Sequence, residues 1–372
     1  MFPADRIQAY LDKRRQDHLF RQLTLTTGLI DFSSNDYLGL SRSAFIKQKV
    51  LEDLSSRKYN QLSATGSRLL NGNSEQYERL ETFIAGFHHA EAALIFNSGF
   101  DANAGLIATL ARPGDIIYYD EYVHASIHQG MKLSGAEFTP YRHNDVDHLN
   151  NILNGKNGFI ITESLFSMEG DKAPLKELAE LASSTGLALI VDEAHATGLF
   201  GHNGSGLCNE MGVEEKCFAR VHTFGKAMGS HGAVVVGSRG LRDFLVNFCK
   251  QFIYSTALDT ANLLCVEHVY KFIQSNRNQL NKLHKLNTYF INKIKTHFLK
   301  YEWKGEGPVF GLIYPGNEKC RQLASTFQAK GYDVRPILSP TVPEGKERIR
   351  ISLHSFNTEN EIDYFFTLLE SQ

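Results

Sequence analysis

Two stretches of the chain decide its fold: Gly158-Phe159-Ile160-Ile161-Thr162-Glu163 and Leu187-Ala188-Leu189-Ile190-Val191-Asp192. Both are short apolar runs, and residues 175–184 between them have the apolar spacing of a helix. Strands that are apolar on both faces and alternate with helices are typical of a parallel sheet covered on both sides. Ligands of such sheets bind at the carboxyl ends of the strands, so we expect the functional site at that edge.

The alternation of helix and strand begins near residue 75 and changes character in the last hundred residues. Before that change we predict helices from residue 75 and up to residue 110, with strands over 92–96 and 115–120. After it we predict a long helix over 266–299, strands over 309–314 and 348–353, a helix over 319–330, and a last helix opened by a capping box from Thr358 to Glu361.

These patterns predict an α/β fold in three parts. Residues 45–265 would form a large domain with a mostly parallel sheet, and residues 266–372 a smaller α+β domain. Residues 1–44 read as an N-terminal segment, with an amphipathic helix followed by the apolar stretch 29–32, which would pack on one of the larger units.

The composition excludes several classes of function. The 372 residues are 42% hydrophobic and 22% charged, and 39 Lys and Arg against 41 Asp and Glu leave no basic excess to neutralise a nucleic acid. No apolar run approaches the roughly 18 residues that span a membrane, and because the first residues are charged we expect no secretory signal there. The five cysteines are odd in number and contain no CxxC pair, so we expect reduced thiols in the cytoplasm and no metal site.

The strongest chemical signal is a carboxylate at a strand end with a lysine farther along the chain. Asp192-Glu193-Ala194-His195 closes a buried strand, and Lys226 follows in the small-residue context Thr223-Phe224-Gly225-Lys226-Ala227. A lysine alone is more often a solvated surface residue, and an Asp after a strand is often a turn or cap. Together, however, an Asp for a pyridinium nitrogen and a Lys for an aldehyde are the two fixtures of pyridoxal-phosphate enzymes.

Two further strand ends support this interpretation. Gly99 and Phe100 close one strand and open a helix, whose backbone amides could hold a phosphate. His124 follows another strand, where its ring could stack on a planar cofactor. Motifs of other enzyme classes are absent from the sequence. It has no Gly-x-Ser-x-Gly of a hydrolase nucleophile, no HExxH of a metal site and no GxGxxG of a dinucleotide-binding turn.

With these residues laid out, the chain resembles the α-oxoamine synthases, fold-type I pyridoxal-phosphate enzymes that join an amino acid to an acyl thioester with loss of CO2. The resemblance covers nearly the whole chain, in the motifs Phe32-Ser33-Ser34-Asn35-Asp36-Tyr37-Leu38-Gly39-Leu40, Gly66-Ser67-Arg68, Ser98-Gly99-Phe100, His124-Ala125-Ser126, Glu163-Ser164-Leu165-Phe166-Ser167-Met168-Glu169-Gly170-Asp171, Asp192-Glu193-Ala194-His195, Thr223-Phe224-Gly225-Lys226, Pro340-Thr341-Val342-Pro343 and Arg348-Ile349-Arg350.

The resemblance implies an acyltransferase with an aminotransferase-like fold that acts as a homodimer with shared active sites. Leu11-Asp12-Lys13-Arg14-Arg15, Arg21 and the motif around Asn35 are most similar to members that join L-alanine to a pimeloyl thioester in biotin biosynthesis, carried on CoA or on a carrier protein. Family members that use glycine or serine with another acyl-CoA are the alternative.

The resemblance also implies roles for individual residues. Lys226 would bond the cofactor's aldehyde and later move the α-proton, Asp192 would hold the ring nitrogen protonated, and His124 would stack over the ring. Positions expected at the cofactor are Gly99, Phe100, Ser167, His195, Thr223 and, with Ser255, Thr256 from the neighbouring subunit. Positions expected at substrate are Arg21, Asn35, His124, Thr341 and Arg350, with Arg350 as the clamp for the amino-acid carboxylate.

Some departures and rival interpretations remain. Tyr77 stands where relatives often have histidine, so no histidine role is assigned there. A catalytically silent relative is disfavoured because the expected site residues are all present: Lys226, Asp192, His195, His124 and Arg350. A nicotinamide-dependent α/β enzyme is disfavoured because its glycine fingerprint is missing.

Overall fold

A computed structural model of the chain describes residues 2–17, 19–56, 61–298 and 300–371. Its α-helices are α1 Pro3–Gln16, α2 Ala44–Ser55, α3 Glu75–Phe87, α4 Gly99–Leu110, α5 Ala125–Ser134, α6 Val146–Ile152, α7 Leu175–Thr185, α8 Leu207–Met211, α9 Arg239–Phe248, α10 Lys250–Ile253, α11 Thr260–Ser275, α12 Asn278–His297, α13 Asn317–Ala329 and α14 Glu359–Glu370. Its strands are β1 Ile30–Asp31, β2 Ala92–Phe96, β3 Ile116–Asp120, β4 Glu137–Tyr141, β5 Gly158–Glu163, β6 Ala188–Asp192, β7 Cys217–Thr223, β8 Ala233–Gly237, β9 Trp303–Lys304, β10 Val309–Ile313, β11 Tyr332–Asp333, β12 Arg335–Ile337 and β13 Arg348–Ser352.

The large sheet has seven strands in the order β2-β8-β7-β6-β5-β3-β4. Strand β8 runs antiparallel to both of its neighbours, and the remaining pairs are parallel. The prediction of a mostly parallel sheet is therefore confirmed. Because β5 and β6 pair in register, Glu163 lies directly opposite Asp192 at the carboxyl ends of the two strands.

Both faces of this sheet are covered, as the apolar strands predicted. Ile160 packs in one cluster with Leu178 of α7. The next residue, Ile161, packs in a second cluster with Ile190 and with Leu106 of α4. Because successive side chains of a strand point to opposite faces, the apolar run of β5 packs against helices on both sides of the sheet.

The smaller sheet is antiparallel throughout and has the strand order β12-β13-β10-β9. Helices α12 and α14 contact each other, and α13 contacts β12 and β13. The predicted capping box opens α14, with the Thr358 side chain on the Glu361 backbone and the Glu361 side chain returning the bond. This part of the chain is the predicted smaller α+β unit.

The prediction of one long helix over 266–299 is wrong, because the chain turns between α11 and α12. Asn276 is extended, with φ −140°, and its side-chain oxygen accepts a hydrogen bond of 2.9 Å from the backbone N–H of Asn278. A side chain that bonds its own backbone competes with the helix, which ends there. Leu299 lies outside the described residues. The boundary predicted after residue 265 falls inside α11 and stays a prediction, as does the boundary after residue 44.

The first part of the N-terminal segment is exposed, whereas its last part is packed into the core. Helix α1 has no buried residue. Farther on, β1 pairs in parallel with β11 of the carboxyl-terminal part, and Phe32 is fully buried in the core. Within the described ranges, no helix combines the length and apolar character needed to cross a bilayer.

Candidate active site

The predicted site residues follow the carboxyl ends of neighbouring strands. Gly99 opens the helix after β2, His124 caps the helix after β3, and Asp192 ends β6. Lys226 lies in the turn between β7 and β8. The crossover connections of the sheet therefore bring to one edge residues that are far apart in sequence.

The turn that carries Lys226 is built by backbone hydrogen bonds and one glycine. Gly229 N–H donates to the Lys226 carbonyl at 2.8 Å, and Ser230 N–H donates to the Phe224 carbonyl at 2.8 Å. Gly229 has φ +59°, and a Cβ placed there would lie 2.3 Å from the backbone nitrogen of Ser41. Only glycine satisfies both the left-handed backbone and this close approach.

The environment of Lys226 favours a reactive amine. Burial lowers the pKa of Lys226 to about 8, and the positive charge of Arg350 acts in the same direction. The carboxyl groups of Asp192 and Glu163 oppose this shift. Among the described residues, no carboxylate comes within ion-pair distance of its Nζ. A substantial neutral fraction near pH 8 suits the lysine to act as a nucleophile or a base.

A chain of hydrogen bonds connects Asp192 to His124. Asn103 Nδ2 donates to Asp192 Oδ2 at 2.7 Å and to Ser126 Oγ at 3.1 Å. Ser126 Oγ lies 2.8 Å from His124 Nδ1. The Ala194 backbone N–H also donates to Asp192, at 2.8 Å. The carboxylate is therefore held in one orientation, and the same amide group positions the residue that holds the histidine.

His124 is held as a neutral ring with a defined tautomer. Burial lowers the pKa of His124, the charge of Lys226 lowers it further, and Asp192 opposes the shift. The Ser126 backbone N–H donates to His124 Nδ1 at 3.2 Å, so the proton of the neutral ring resides on Nε2.

A second network joins Arg350 to His195. Arg350 Nη2 and Tyr37 Oη both donate to Asn35 Oδ1, at 2.9 and 3.0 Å, and Tyr37 Oη lies 2.8 Å from His195 Nδ1. Arg350 Nε donates to the Ser167 carbonyl at 2.9 Å. Burial raises the pKa of Tyr37 to about 12, and burial lowers the pKa of His195 well below its ordinary value. Both rings are therefore uncharged at neutral pH.

The predicted phosphate-binding residues also converge. Gly99 is the first residue of α4, and a Cβ placed on it would lie 3.5 Å from Thr223 Oγ1. The Thr256 carbonyl accepts a hydrogen bond of 2.7 Å from Asn97 Nδ2, which lies just before this helix. Phe100, in the first turn of α4, is 47% exposed. Thr256 therefore lies beside the turn that precedes α4 in its own chain.

Two predicted substrate residues lie apart from this cluster. Arg21 and Thr341 line a cavity beside β12, and both are exposed. Within the part of the chain that the structure describes, no hydrogen bond joins either side chain to the residues around Lys226. No group of three or more metal-ligating side chains occurs in the described ranges.

Several site residues had no predicted role. Ser126 and Tyr37 stood in the quoted motifs, Asn103 follows the motif Ser98-Gly99-Phe100, and each holds a predicted site residue. Glu163 is 3% exposed, and its Oε1 has no hydrogen-bond partner among the described residues. Burial, reinforced by the charge of Asp192, raises the pKa of Glu163 well above its usual range. Its signal was the one that singled out Asp192: a carboxylate at the end of an apolar strand.

The sequence matches the family model for class I and II aminotransferases over residues 27–369. The chain belongs to the class I and II aminotransferase family. Within this family, the 8-amino-7-oxononanoate synthase of Emericella nidulans is 41% identical, over 94% of this chain and 91% of its own. The enzyme of that name from Lysinibacillus sphaericus is 36% identical, over 89% and 85%. These relatives confirm that the chain is a member of the α-oxoamine synthase group.

Solved structures of family members have the same architecture. An 8-amino-7-oxononanoate synthase from Francisella tularensis has a TM-score of 0.80 at 29% identity, covering 92% of this chain and 97% of its own. A serine palmitoyltransferase from Sphingomonas wittichii has a TM-score of 0.86 at 26% identity, covering 92% and 86%. The predicted fold-type I architecture is therefore confirmed.

Proposed function

We propose that the chain catalyses the pyridoxal-phosphate-dependent condensation of L-alanine with a pimeloyl thioester in biotin biosynthesis. The products would be 8-amino-7-oxononanoate, CO2 and a free thiol. The observation that carries the proposal is the half-buried Lys226 amine held near the oriented carboxylate of Asp192 and the neutral ring of His124. Relatives named 8-amino-7-oxononanoate synthase, at 36 and 41% identity over most of the chain, support this choice of reaction.

The residues around Lys226 fit pyridoxal phosphate. Asp192 attracts the Lys226 ammonium group, yet the two are not paired within 4.0 Å. A half-buried amine and a buried carboxylate that do not contact each other leave their polar groups for a ligand between them. When bound, pyridoxal phosphate supplies an aldehyde for amines and a pyridinium ring that accepts an electron pair. Lys226 would bond the aldehyde carbon, and Asp192 would keep the ring nitrogen protonated.

The remaining cofactor contacts follow from the positions of the side chains. His124 would lie over the ring, and its uncharged state avoids repulsion between an imidazolium and a pyridinium. Ser167 and His195 would form hydrogen bonds with the phenolic oxygen of the ring. The backbone amides of Gly99 and Phe100 at the start of α4 would hold the phosphate, with Thr223 beside them. Ser255 and Thr256 would make this contact across a homodimer interface.

Arg350 and Asn35 would bind the carboxylate of L-alanine. The Arg350 guanidinium already donates to the Ser167 carbonyl and to Asn35 Oδ1, so it is held in place before substrate arrives. Lys226 would remove the alanine Cα proton. The Cα atom would then bond to the thioester carbonyl carbon as the C–S bond breaks and the thiolate leaves. The original carboxylate would leave as CO2, and Lys226 would return a proton to the electron pair that remains at Cα.

The acyl donor and the cellular setting complete the proposal. Arg21 and Thr341 would contact the pimeloyl thioester, whose thiol is CoA or a carrier protein. The enzyme would act in the cytoplasm, where reduced thiols such as the five free cysteines persist.

The first experiment tests the cofactor linkage. Protein incubated with pyridoxal phosphate and reduced with borohydride should carry a pyridoxyl group on Lys226, located by peptide mass spectrometry. Lys226→Ala should abolish this modification, whereas Lys216→Ala, at an exposed lysine, should retain it. A protein that takes up no pyridoxal phosphate, or that is modified equally in the Lys226→Ala variant, would contradict the proposal.

The second experiment tests the substrates. Thiol release is measured with L-alanine, glycine and L-serine, each paired with pimeloyl-CoA and with acetyl-, succinyl- and palmitoyl-CoA. We expect release from L-alanine with pimeloyl-CoA to exceed every other pair. Preference for glycine or serine, without turnover of alanine, would assign the chain to another reaction of the same group.

A further inference from the structure

His143 lies in the loop that follows β4, at the carboxyl edge of the large sheet, and its side chain bonds two carboxylates. Nδ1 donates to Asp120 Oδ1 and Nε2 donates to Asp171 Oδ2, each at 2.9 Å. Burial alone would lower the pKa of His143, but these two hydrogen bonds and the two negative charges raise it to about 10. At neutral pH the ring is therefore an imidazolium that donates at both ends, and it joins two separate turns of the chain.

The first of these turns leads to His124. Asp120 ends β3 and is fully buried. Its Oδ1 also accepts a hydrogen bond of 2.9 Å from the Tyr122 backbone N–H, and its carbonyl accepts one of 3.1 Å from the Val123 N–H. The Tyr122 ring stacks on the His143 ring, with the centroids 4.6 Å apart. The residues immediately before His124 are therefore fixed by groups that His143 contacts.

The second turn carries Ser167. The Phe166 N–H closes this turn by donating to the Asp171 carbonyl at 3.0 Å. The Phe166 ring lies edge-on to the His143 ring, with the centroids 4.5 Å apart, so His143 contacts both ends of the turn. The Ser167 carbonyl accepts the hydrogen bond of Arg350 Nε. A displacement of this turn would therefore move Ser167 and would also reach the proposed carboxylate clamp.

We propose that His143 is a positioning residue, which fixes the turn that leads to His124 relative to the turn that carries Ser167. The inference rests on the proposed function, in which these two residues contact the same cofactor, His124 over the ring and Ser167 at its phenolic oxygen. Two contacts on one planar ring require two elements held in one mutual geometry. A rigid ring with a charge-assisted hydrogen bond at each end supplies that constraint.

The chain offers a closely matched pair of variants for the test. Asp171→Ala removes one end of the bridge and leaves Asp120 in place, and the Asp171 side chain is 40% exposed, so the fold should persist. Asp53 on α2 forms the same kind of pair with His268 on α11, at 2.7 Å between Oδ2 and Nε2. The exposed fractions also match, at 16% for both histidines and 41% for Asp53. Asp53→Ala is therefore the control.

Cofactor binding separates positioning from general support of the fold. Protein freed of pyridoxal phosphate is titrated with it, and the dissociation constant and the visible absorption of the bound cofactor are measured. For Asp171→Ala we expect the dissociation constant to rise about tenfold and the absorption maximum to change, because Ser167 no longer holds the phenolic oxygen. Asp53→Ala should match wild type in both measurements, although the two variants should lose similar stability in urea unfolding.

Turnover gives a second comparison. For Asp171→Ala, kcat for thiol release should fall about tenfold or more while KM for pimeloyl-CoA stays unchanged, because the contacts of the cofactor are displaced and those of the acyl donor are not. Asp171→Asn keeps an oxygen that accepts from His143 Nε2, so it should restore the absorption maximum and most of the affinity. Failure of Asp171→Asn to restore them would overturn the proposal.

A measurement on the wild-type protein does not depend on the folding of any variant. Nitrogen-15 NMR should show a proton on both ring nitrogens of His143 at neutral pH, with the signals assigned by their loss in His143→Gln. A singly protonated ring would lack one end of the bridge and would overturn the proposal.

The positioning role and the reaction can fail separately. Equal cofactor binding by Asp171→Ala and Asp53→Ala, in a protein that releases thiol from L-alanine and pimeloyl-CoA, would reject the role of His143 and leave the reaction intact. Cofactor binding that is weakened in Asp171→Ala alone, in a protein that releases no thiol from any pimeloyl donor, would retain the role and reject the reaction.

Discussion

Asn103→Ala is expected to weaken the fold and the site together, because one amide group connects Asp192 to Ser126. Asn103 is 3% exposed, and its Nδ2 donates at 2.7 Å to the carboxylate and at 3.1 Å to the hydroxyl. The substitution leaves both acceptors buried without this donor. The Asp192 carboxylate still accepts a hydrogen bond from the Ala194 backbone N–H, so it retains one donor.

The magnitude follows from the two bonds. A hydrogen bond to a charged group contributes roughly 1.5–3 kcal/mol, and a neutral one about 1 kcal/mol. We therefore expect the free energy of unfolding to fall by about 2.5–4 kcal/mol. With pyridoxal phosphate and substrates, kcat should also fall by about tenfold or more, because the orientation of Asp192 and His124 is relaxed.

Urea unfolding of the cofactor-free protein, followed by circular dichroism, measures the first effect. Ser126→Ala and the double variant complete a double-mutant cycle, in which we expect a coupling energy of about 1 kcal/mol. Asn247→Ala is the matched control, since that exposed asparagine donates only to the Asp243 carbonyl one turn earlier. A loss below about 1 kcal/mol for Asn103→Ala, or strictly additive variants, would refute the reasoning.

Three further predictions concern acidity, a buried ion pair and the carboxylate clamp. Burial lowers the pKa of His88 from 6.5 to about 3, so the unfolded chain takes up this proton first and stability falls as pH drops below 6.5, by about 2 kcal/mol at pH 5 in thermal or urea unfolding. Glu81→Gln removes the buried partner of Arg68, which donates to both carboxylate oxygens at 2.7 and 3.2 Å, and should cost about 3–5 kcal/mol in urea unfolding. Arg350→Lys should raise KM for L-alanine by about tenfold or more, because an ammonium group cannot bind a carboxylate in two places.

Each of these three predictions has a control variant or a result that would contradict it. His88→Asn should show a smaller loss of stability between pH 7 and pH 5 than wild type, and an equal loss would contradict the assignment. Lys156→Gln breaks an exposed pair with Glu137 and should cost less than about 1 kcal/mol. For Arg350→Lys, an unchanged KM for alanine would remove this residue from the carboxylate site.

The periodic parts of the fold were predictable because local pattern and tertiary packing agree there. The run from Gly158 to Glu163 is apolar on both faces, and both faces are buried. The break at Asn276 was missed because its cause is one side chain bonding its own backbone, which the apolar period does not record. Helix α1 looked amphipathic, but nothing in a periodic pattern states whether a partner surface exists in the same chain.

Site residues that follow the end of a strand could be predicted from the sequence. Residues that hydrogen-bond to another site residue and hold it in place could not. Asp192 and His124 were found from their positions after apolar runs. Asn103 lies inside a helix, and its role follows only when α4 is placed beside β6 and α5. A polar amide within the apolar helix α4 was the available signal. Arg21 and Thr341 came from resemblance alone, and the structure places them in the cavity beside β12.

The close packing of Gly229 against Ser41 makes the turn of Lys226 depend on a distant part of the chain. Strand β1, Phe32 and Ser41 belong to one N-terminal stretch, and β1 is fixed by pairing with β11 near the far end of the chain. The lysine turn is therefore supported by a stretch that is itself held by strand β11. Loss of β11 would remove the partner of β1 and loosen the surface against which the turn of Lys226 packs.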